Sequence, residues 1–323
     1  MPHNIDSMAY YGDVPWHKLG TRLPERVGAK DMLVAAGLDW EVQVRGARGA
    51  ILDRKGKYSR YEIVRIPRPQ KQEEEVLLGV VSKHYVPFQN QQAFDFFDSV
   101  ITQGKAVFET AGSLGQGENI WVLAKLPNVI NVVRNDDCMQ YLLLSNRHDG
   151  QGGVVVKFTS IRVVCQNTLM LSLKDGQNAY RVRHSNIMAN RLSEIGEILG
   201  FSTRMYAEAG EAFAGMARKA LSKNLLDDFL QAVYPKTEPQ KKNNKRPDKW
   251  LEIDKLLEER DDLILPGVKG TLWAAYNAIT CFEDYKQRKQ PEDEAGRLNH
   301  VWFGAGADTK LNAYQEARKF AAA

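Results

Sequence analysis

The chain has 323 residues, 43% of them apolar and 26% charged, and a net charge of +4. That length buries a full core in one large domain or two smaller ones, and the composition excludes a disordered or fibrous chain. Apolar runs fall well short of the ~18 residues of a membrane span, and the amino terminus lacks a basic segment followed by an apolar one.

The expected location is therefore the cytoplasm of whatever cell makes it. Cys138, Cys165 and Cys281 lie far apart and lack CxxC spacing. This argues against a disulfide framework or a zinc cage, and no metal or cofactor is expected.

Met32, Leu33 and Ala36 share one face of a helix from Lys30 that Gly37 ends. Trp40, Val42 and Val44 then alternate, as does Tyr58 to Ile66, predicting a β-hairpin whose tip is Asp53-Arg54-Lys55-Gly56-Lys57. Val76 to Val81 reads as a strand and Gln91 to Gly104 as a helix. Val107 to Gly112 and Asn119 to Leu126 form a second hairpin. Met139 to Ser145 and Val154 to Phe158 are strands flanking the Asp149-Gly150 turn. Ile161 to Leu173 begins as a strand and continues as a helix.

From about Ser185 the apolar period changes from 2 to 3.6, and helices follow, including Leu272 to Tyr285 and Lys310 to Phe320. Pro235 to Pro247, with Lys241-Lys242-Asn243-Asn244-Lys245-Arg246, is the candidate mobile loop. The expected organisation is an α+β core over residues 1–185 and a helical part over 186–323, with the loop near 235–248.

The positive charge is unevenly placed. Glu41 to Lys71 holds nine Lys/Arg against three acids. Arg54, Lys55, Lys57, Tyr58, Arg60 and Tyr61 interleave cations with rings, a composition that tracks a phosphate backbone while offering faces for bases. Ordinary solvated lysines at a hairpin tip are the plainer reading. Further cations recur on or beside strands, at Arg45, Arg48, Lys83, Arg147, Lys157, Arg162, Arg181 and Arg183. A groove lined by strand-borne cations suits extended single strands.

The chain lacks a GxxxxGK[ST] loop, an HExxH motif and a GxSxG motif. Gly115-Gln116-Gly117 begins a GxGxxG pattern that Ile120 breaks, and it falls in a hairpin. His148-Asp149 offers a general base or half a metal site, but Asp-Gly is also a common turn. Two accounts fit Arg162-Val163-Val164-Cys165-Gln166-Asn167-Thr168. Arg162 reaches a phosphate with Gln166, Asn167 and Thr168 donating beside it, or Arg162 pairs internally with a carboxylate such as Glu109 while Asn167-Thr168 caps a helix. Trp16, in a short irregular segment, is a candidate contact between subunits.

Gly12-Asp13-Val14-Pro15-Trp16-His17-Lys18-Leu19-Gly20, Glu109-Thr110-Ala111-Gly112-Ser113-Leu114, His148-Asp149-Gly150, Arg162 to Leu169 and Trp302-Phe303-Gly304-Ala305-Gly306 occur in that order. Together they resemble the phage/plasmid-related proteins grouped as domain of unknown function 932. The resemblance implies a phage, prophage or mobile-plasmid origin and names no activity. The hairpin-then-helix order is also similar to the Rad-fifty-two-like single-strand annealing proteins, which implies a curved antiparallel sheet backed by helices, subunits in rings or filaments, and one strand held by its backbone.

The expectation is thus a homo-oligomer that binds and anneals single-stranded DNA without covalent chemistry. Arg45, Arg48, Arg54, Lys55, Lys57, Tyr58, Arg60, Lys83, Arg147, Lys157, Arg162 and Asn167 are its contact residues. The alternatives are a metal-dependent nuclease or nucleotide-processing enzyme using His148, Asp149 and Glu109, and a phage protein that inhibits a host defence factor through its helical part.

Overall fold

The computed structural model describes residues 5–12, 19–46, 60–68, 73–102, 106–162, 164, 167–170, 179–185, 195–243, 245–287, 300–302 and 304–323. The strands are β1 (Ile5–Tyr11), β2 (Thr21–Leu23), β3 (Glu41–Gly46), β4 (Tyr61–Ile66), β5 (Val76–Val81), β6 (Val107–Leu114), β7 (Asn119–Val133), β8 (Asp136–Arg147), β9 (Val154–Arg162), β10 (Asn167–Met170) and β11 (Ala179–Val182). The helices are α1 (Ala29–Ala35), α2 (Asn90–Thr102), α3 (Ile195–Arg218), α4 (Lys223–Val233), α5 (Glu238–Lys242), α6 (Asp248–Glu259), α7 (Leu272–Cys281) and α8 (Ala305–Ala322). The fold is α+β, as the switch of period predicts.

The large sheet runs β10-β9-β8-β7-β6-β1-β2, and β11 pairs with the part of β9 that β10 leaves free. It is mostly antiparallel; β1 and β2 pair in parallel. A separate antiparallel sheet runs β3-β4-β5. The chain divides into two compact units. One comprises residues 1–127, 141–157 and 179–200, the other 128–140, 158–178 and 201–323. Among the described residues no helix is long and apolar enough to cross a membrane.

In the first unit, Met32 and Leu33 of α1 are buried, as are Phe94 and Phe97 of α2. The Phe94 and Phe97 rings lie 5.7 and 5.9 Å from Phe108 of β6. Burying each such ring contributes roughly 1.5–3 kcal/mol, so this aromatic group anchors α2. Strand β3 alternates as its sequence demands, with Val42 buried between exposed Glu41 and Gln43. The Gln89 side chain reads the backbone of Val42 from beside it, accepting from Val42 N at 2.9 Å and donating to Val42 O at 2.8 Å.

In the second unit, the Ser222 hydroxyl caps α4 by accepting from Leu225 N, and the Thr271 hydroxyl caps α7 by accepting from Ala274 N, both at 3.2 Å. All ten residues of α7 are buried, which explains its nearly continuous apolar sequence. Its last turn widens into a π-helix over Phe282–Lys286. Phe213 of α3 lies 4.7 Å from Trp273 and 6.0 Å from Tyr314 of α8, forming the centre of this unit's core.

Two expectations require correction here. The helix read after Ile161 is absent at residues 167–170, where β10 pairs antiparallel with β9 and sets Asn167 opposite Arg162. Asn167-Thr168 is therefore no helix cap; Leu169 is buried and its carbonyl accepts from the Thr159 hydroxyl at 2.8 Å. The Pro235 to Pro247 stretch is not loop throughout, because Glu238–Lys242 is helical. It contains α5, closed by a capping box between Thr237 and Gln240. Arg246 donates to Asp254 at 2.6 and 2.8 Å and to Asp227 at 2.5 Å, with its guanidinium 5.2 Å from the Trp250 ring.

Candidate nucleic-acid interface

Several of the cations singled out in the sequence are neutralised within the first unit. Arg45 pairs with Glu75 at 2.7 Å and approaches Glu62. Arg65 pairs with Asp6 at 2.7 Å and stacks on Trp40, 4.7 Å from the ring centre. Arg68 bonds Glu73 and Asp39, and its guanidinium holds the Glu73 carboxyl down to about 2. Most of the described charge between Glu41 and Lys71 is thus spent on holding β3, β4 and their flanks. Arg48, Arg54, Lys55, Lys57, Tyr58 and Trp16 lie outside the described residues.

Arg60 behaves differently. It is exposed just before β4, lines an open cleft of about 910 Å³, and has no carboxylate partner among the described residues. Among the described residues, four segments of the first unit line this cleft: Arg60, the end of β5 with Ser82, His84 and Tyr85, the Gly150 to Gly153 turn, and Arg183 to Ser185 after β11. Arg183 is exposed and likewise without a carboxylate partner among the described residues. Arg181, two residues earlier on β11, is exposed as well, and Lys83 is exposed in the turn after β5.

Among the described residues, the lining contains no Asp or Glu. Asp149 lies beside the cleft, but its carboxylate is bound to Arg147 and accepts from Gln151 N at 2.9 Å. The cleft therefore carries the uncompensated charge of two guanidinium groups, which favours anions.

Its floor depends on close backbone approach. A Cβ on Gly79 would lie 2.4 Å from the Asp149 carbonyl oxygen, and Gly150 has φ +76°. Glycine at both places lets the 149–153 turn sit directly on β5. The wall is stiffened by rings. Tyr85 stacks on His184 with centroids 4.5 Å apart, and its hydroxyl donates to Arg147 O at 3.4 Å. His184 Nδ1 donates to Val86 O at 3.2 Å, and burial lowers its pKa, so a neutral ring faces the cleft.

Other residues proposed from the sequence lie elsewhere. Lys157 is buried on β9, opposite Ala179. Arg162, in the second unit, has no exposed surface. Its Nε and Nη2 donate to the two Asp136 oxygens at 2.6 and 2.8 Å, and Nη1 donates to Asp262 at 2.7 Å. Trp273 Nε1 adds a bond to Asp136 at 2.8 Å. Of the two accounts of Arg162, the internal ion pair is the one seen, with Asp136 and Asp262 as the carboxylates. Burial excludes the guanidinium from a groove floor. Glu109 accepts from the Tyr141 hydroxyl at 3.0 Å.

His148 is sealed inside the first unit, and burial, with His184 nearby, pushes its pKa down to about 3. Among the described residues, no group of three or more His, Cys, Asp or Glu is placed to hold a metal ion.

Val80, Ser82, His184 and the Gln151 to Gly153 part of the wall were not singled out from the sequence. The signal available was Asp149-Gly150-Gln151-Gly152-Gly153, whose glycine density exceeds what one turn needs. No curated protein and no solved structure matches the chain. The model of the family described as Domain of unknown function (DUF932) matches residues 77–302, a span that includes most of the cleft, and the chain belongs to that family.

Proposed function

We propose that the protein binds single-stranded DNA through its first unit and promotes strand annealing as a homo-oligomer, without covalent chemistry. The observation that carries this reading is the pair of exposed arginines, Arg60 and Arg183, lining one open cleft that has aromatic rings and, among the described residues, no carboxylate in its wall. Phosphate supplies the missing negative charge, and the rings tolerate any base. The cations are carried by strand ends and turns, an arrangement that suits an extended strand better than a duplex groove. Such a protein fits a phage or mobile-plasmid origin, where strands are exchanged in the cytoplasm of the host.

The test measures fluorescence anisotropy of a labelled single strand between about 50 and 200 mM salt, together with the pairing rate of two complementary strands. Arg60→Ala/Arg183→Ala is expected to weaken binding severalfold and to lower the salt slope by about 0.7 for each phosphate left without its arginine. Wild-type pairing should need neither ATP nor metal and should coincide with large assemblies. An unchanged salt slope in the double variant removes the cleft from the proposal, and absence of strand binding by the wild type overturns it.

A further inference from the structure

Strand β5 is an outer strand of the three-stranded sheet. It pairs with β4 on one side, and among the described residues no strand pairs with it on the other. Open edges are usually blunted by a charge on the strand. This one reads Val76-Leu77-Leu78-Gly79-Val80-Val81 and carries none. It also bares Leu77 and Val80, which are 56% and 49% exposed.

These two side chains stand three positions apart, yet they share a face. The register sets Val80 beside Glu62 and Leu77 beside Val64, with Leu78 the extra residue of a bulge. Val76, Gly79 and Val81 lie on the opposite face. A bulge commonly turns an edge away from pairing. Here it makes the strand symmetric, because Leu77 matches Val80 and Val76 matches Val81 when the strand is reversed. The flanks continue the match with opposite charge. Before the strand, Glu73 is held by Arg68 and Glu75 by Arg45, which leaves Glu74. After it stands Lys83. Both Glu74 and Lys83 are exposed and have no ion-pair partner among the described residues.

We propose that β5 pairs antiparallel with β5 of a second copy of the chain, about a two-fold axis between Leu78 and Gly79. Leu77 then covers the partner's Val80, Val76 faces the partner's Val81, and Glu74 meets the partner's Lys83, each contact occurring twice. The pairing joins two three-stranded sheets into one, gives the outer backbone edge its partners and takes the bare apolar pair out of water. It supplies the self-association in the reading above but does not rest on strand binding. A two-fold pair is closed, so longer assemblies need a second surface.

Analytical ultracentrifugation of the full chain without DNA tests the pairing. The samples are wild type, Glu74→Lys, Lys83→Glu and an equimolar mixture of the two variants, after thermal melts confirm that each is folded. Wild type is expected to sediment as a dimer whose fraction rises with concentration. Each single variant sets like charges opposite each other twice and should dimerise at least about tenfold more weakly. Mixing the variants should restore the dimer, because each then meets the opposite charge at both ends, a rescue that a folding defect would not give. Hydrogen exchange over residues 76–81 should slow as the dimer forms.

A wild type that stays monomeric at every concentration overturns the pairing, and so does a mixture that fails to restore the dimer. A dimer that both single variants leave intact, or that forms without slowing exchange over 76–81, makes its contact elsewhere and overturns it as well. A dimer that behaves as expected but binds no DNA leaves the pairing standing and overturns only the single-strand reading.

Discussion

His148 Nε2 lies 2.9 Å from Asn90 Oδ1, and this contact fixes the state of the imidazole. Asn90 Nδ2 donates to Leu38 O at 2.9 Å, which leaves its oxygen facing the ring. Nε2 therefore carries the proton. Asn146 Nδ2, 3.4 Å from the same nitrogen, spends its donor on Phe88 O at 2.8 Å. Nδ1 is buried without a partner, and Trp40 covers the ring edge-on at 5.4 Å. This neutral histidine ties β8 to the start of α2 inside a closed core.

Stability should consequently depend on pH. In the folded chain His148 resists protonation down to about 3, whereas in the unfolded chain it titrates near 6.5. Its contribution is fully present above about 6.5 and falls as pH drops toward 3, because the unfolded state then binds the extra proton. The loss reaches about 2–3 kcal/mol by about pH 4.5. His184, whose pKa is also lowered, acts in the same direction. Denaturant midpoints of wild type and His148→Gln, compared across this range, should converge toward acid. Parallel curves would contradict the assignment.

Arg162→Met leaves Asp136 buried with its charge unmatched, and should cost about 3–5 kcal/mol. Arg162→Met/Asp136→Leu should recover much of that loss, since an apolar pair of similar volume avoids the desolvation cost. In the fraction that remains folded, the salt slope of strand binding should match wild type. A reduced slope would mean that this arginine touches phosphate.

Gly79→Ala tests the floor of the cleft. The new Cβ meets backbone atoms of Asp149, which cannot swing aside as the end of a flexible side chain can. The substitution should destabilise the protein by about 1–3 kcal/mol and weaken strand binding by displacing the 149–153 turn. Gly46→Ala, where a Cβ meets nothing within 4 Å, is the control, with neither effect expected. Chemical denaturation and anisotropy on both variants decide it.

Strands β3 and β4 were legible because their sequences alternate, and β5 to β9 because short apolar runs are bounded by turn residues; Val76 to Val81 matches β5 at both ends. Strand β10 was misread because Gln-Asn-Thr-Leu is also what a helix start looks like; its pairing with β9 depends on a partner strand, not on its own composition. Charge was legible and its fate was not. Arg45, Arg65 and Arg68 look no different in sequence from Arg60, yet carboxylates as distant as Asp6 consume Arg65 while Arg60 has no carboxylate partner among the described residues. Arg183 was named only as one cation among several, since its meeting with Arg60 requires β11 to fold back along β9. Arg246 stands in a lysine-rich run that reads as solvated, but Asp227 and Asp254 on two different helices hold it.

The amide of Gln89 occupies both backbone groups of Val42 at the outer side of β3. A side chain there does what another strand would otherwise do, and the three-stranded sheet is closed at that point by a residue of its own chain. Neighbouring copies cannot extend it there by backbone pairing without first displacing that amide. Self-association at this edge is thereby left to side-chain contacts, which can be made and released without unravelling the strand.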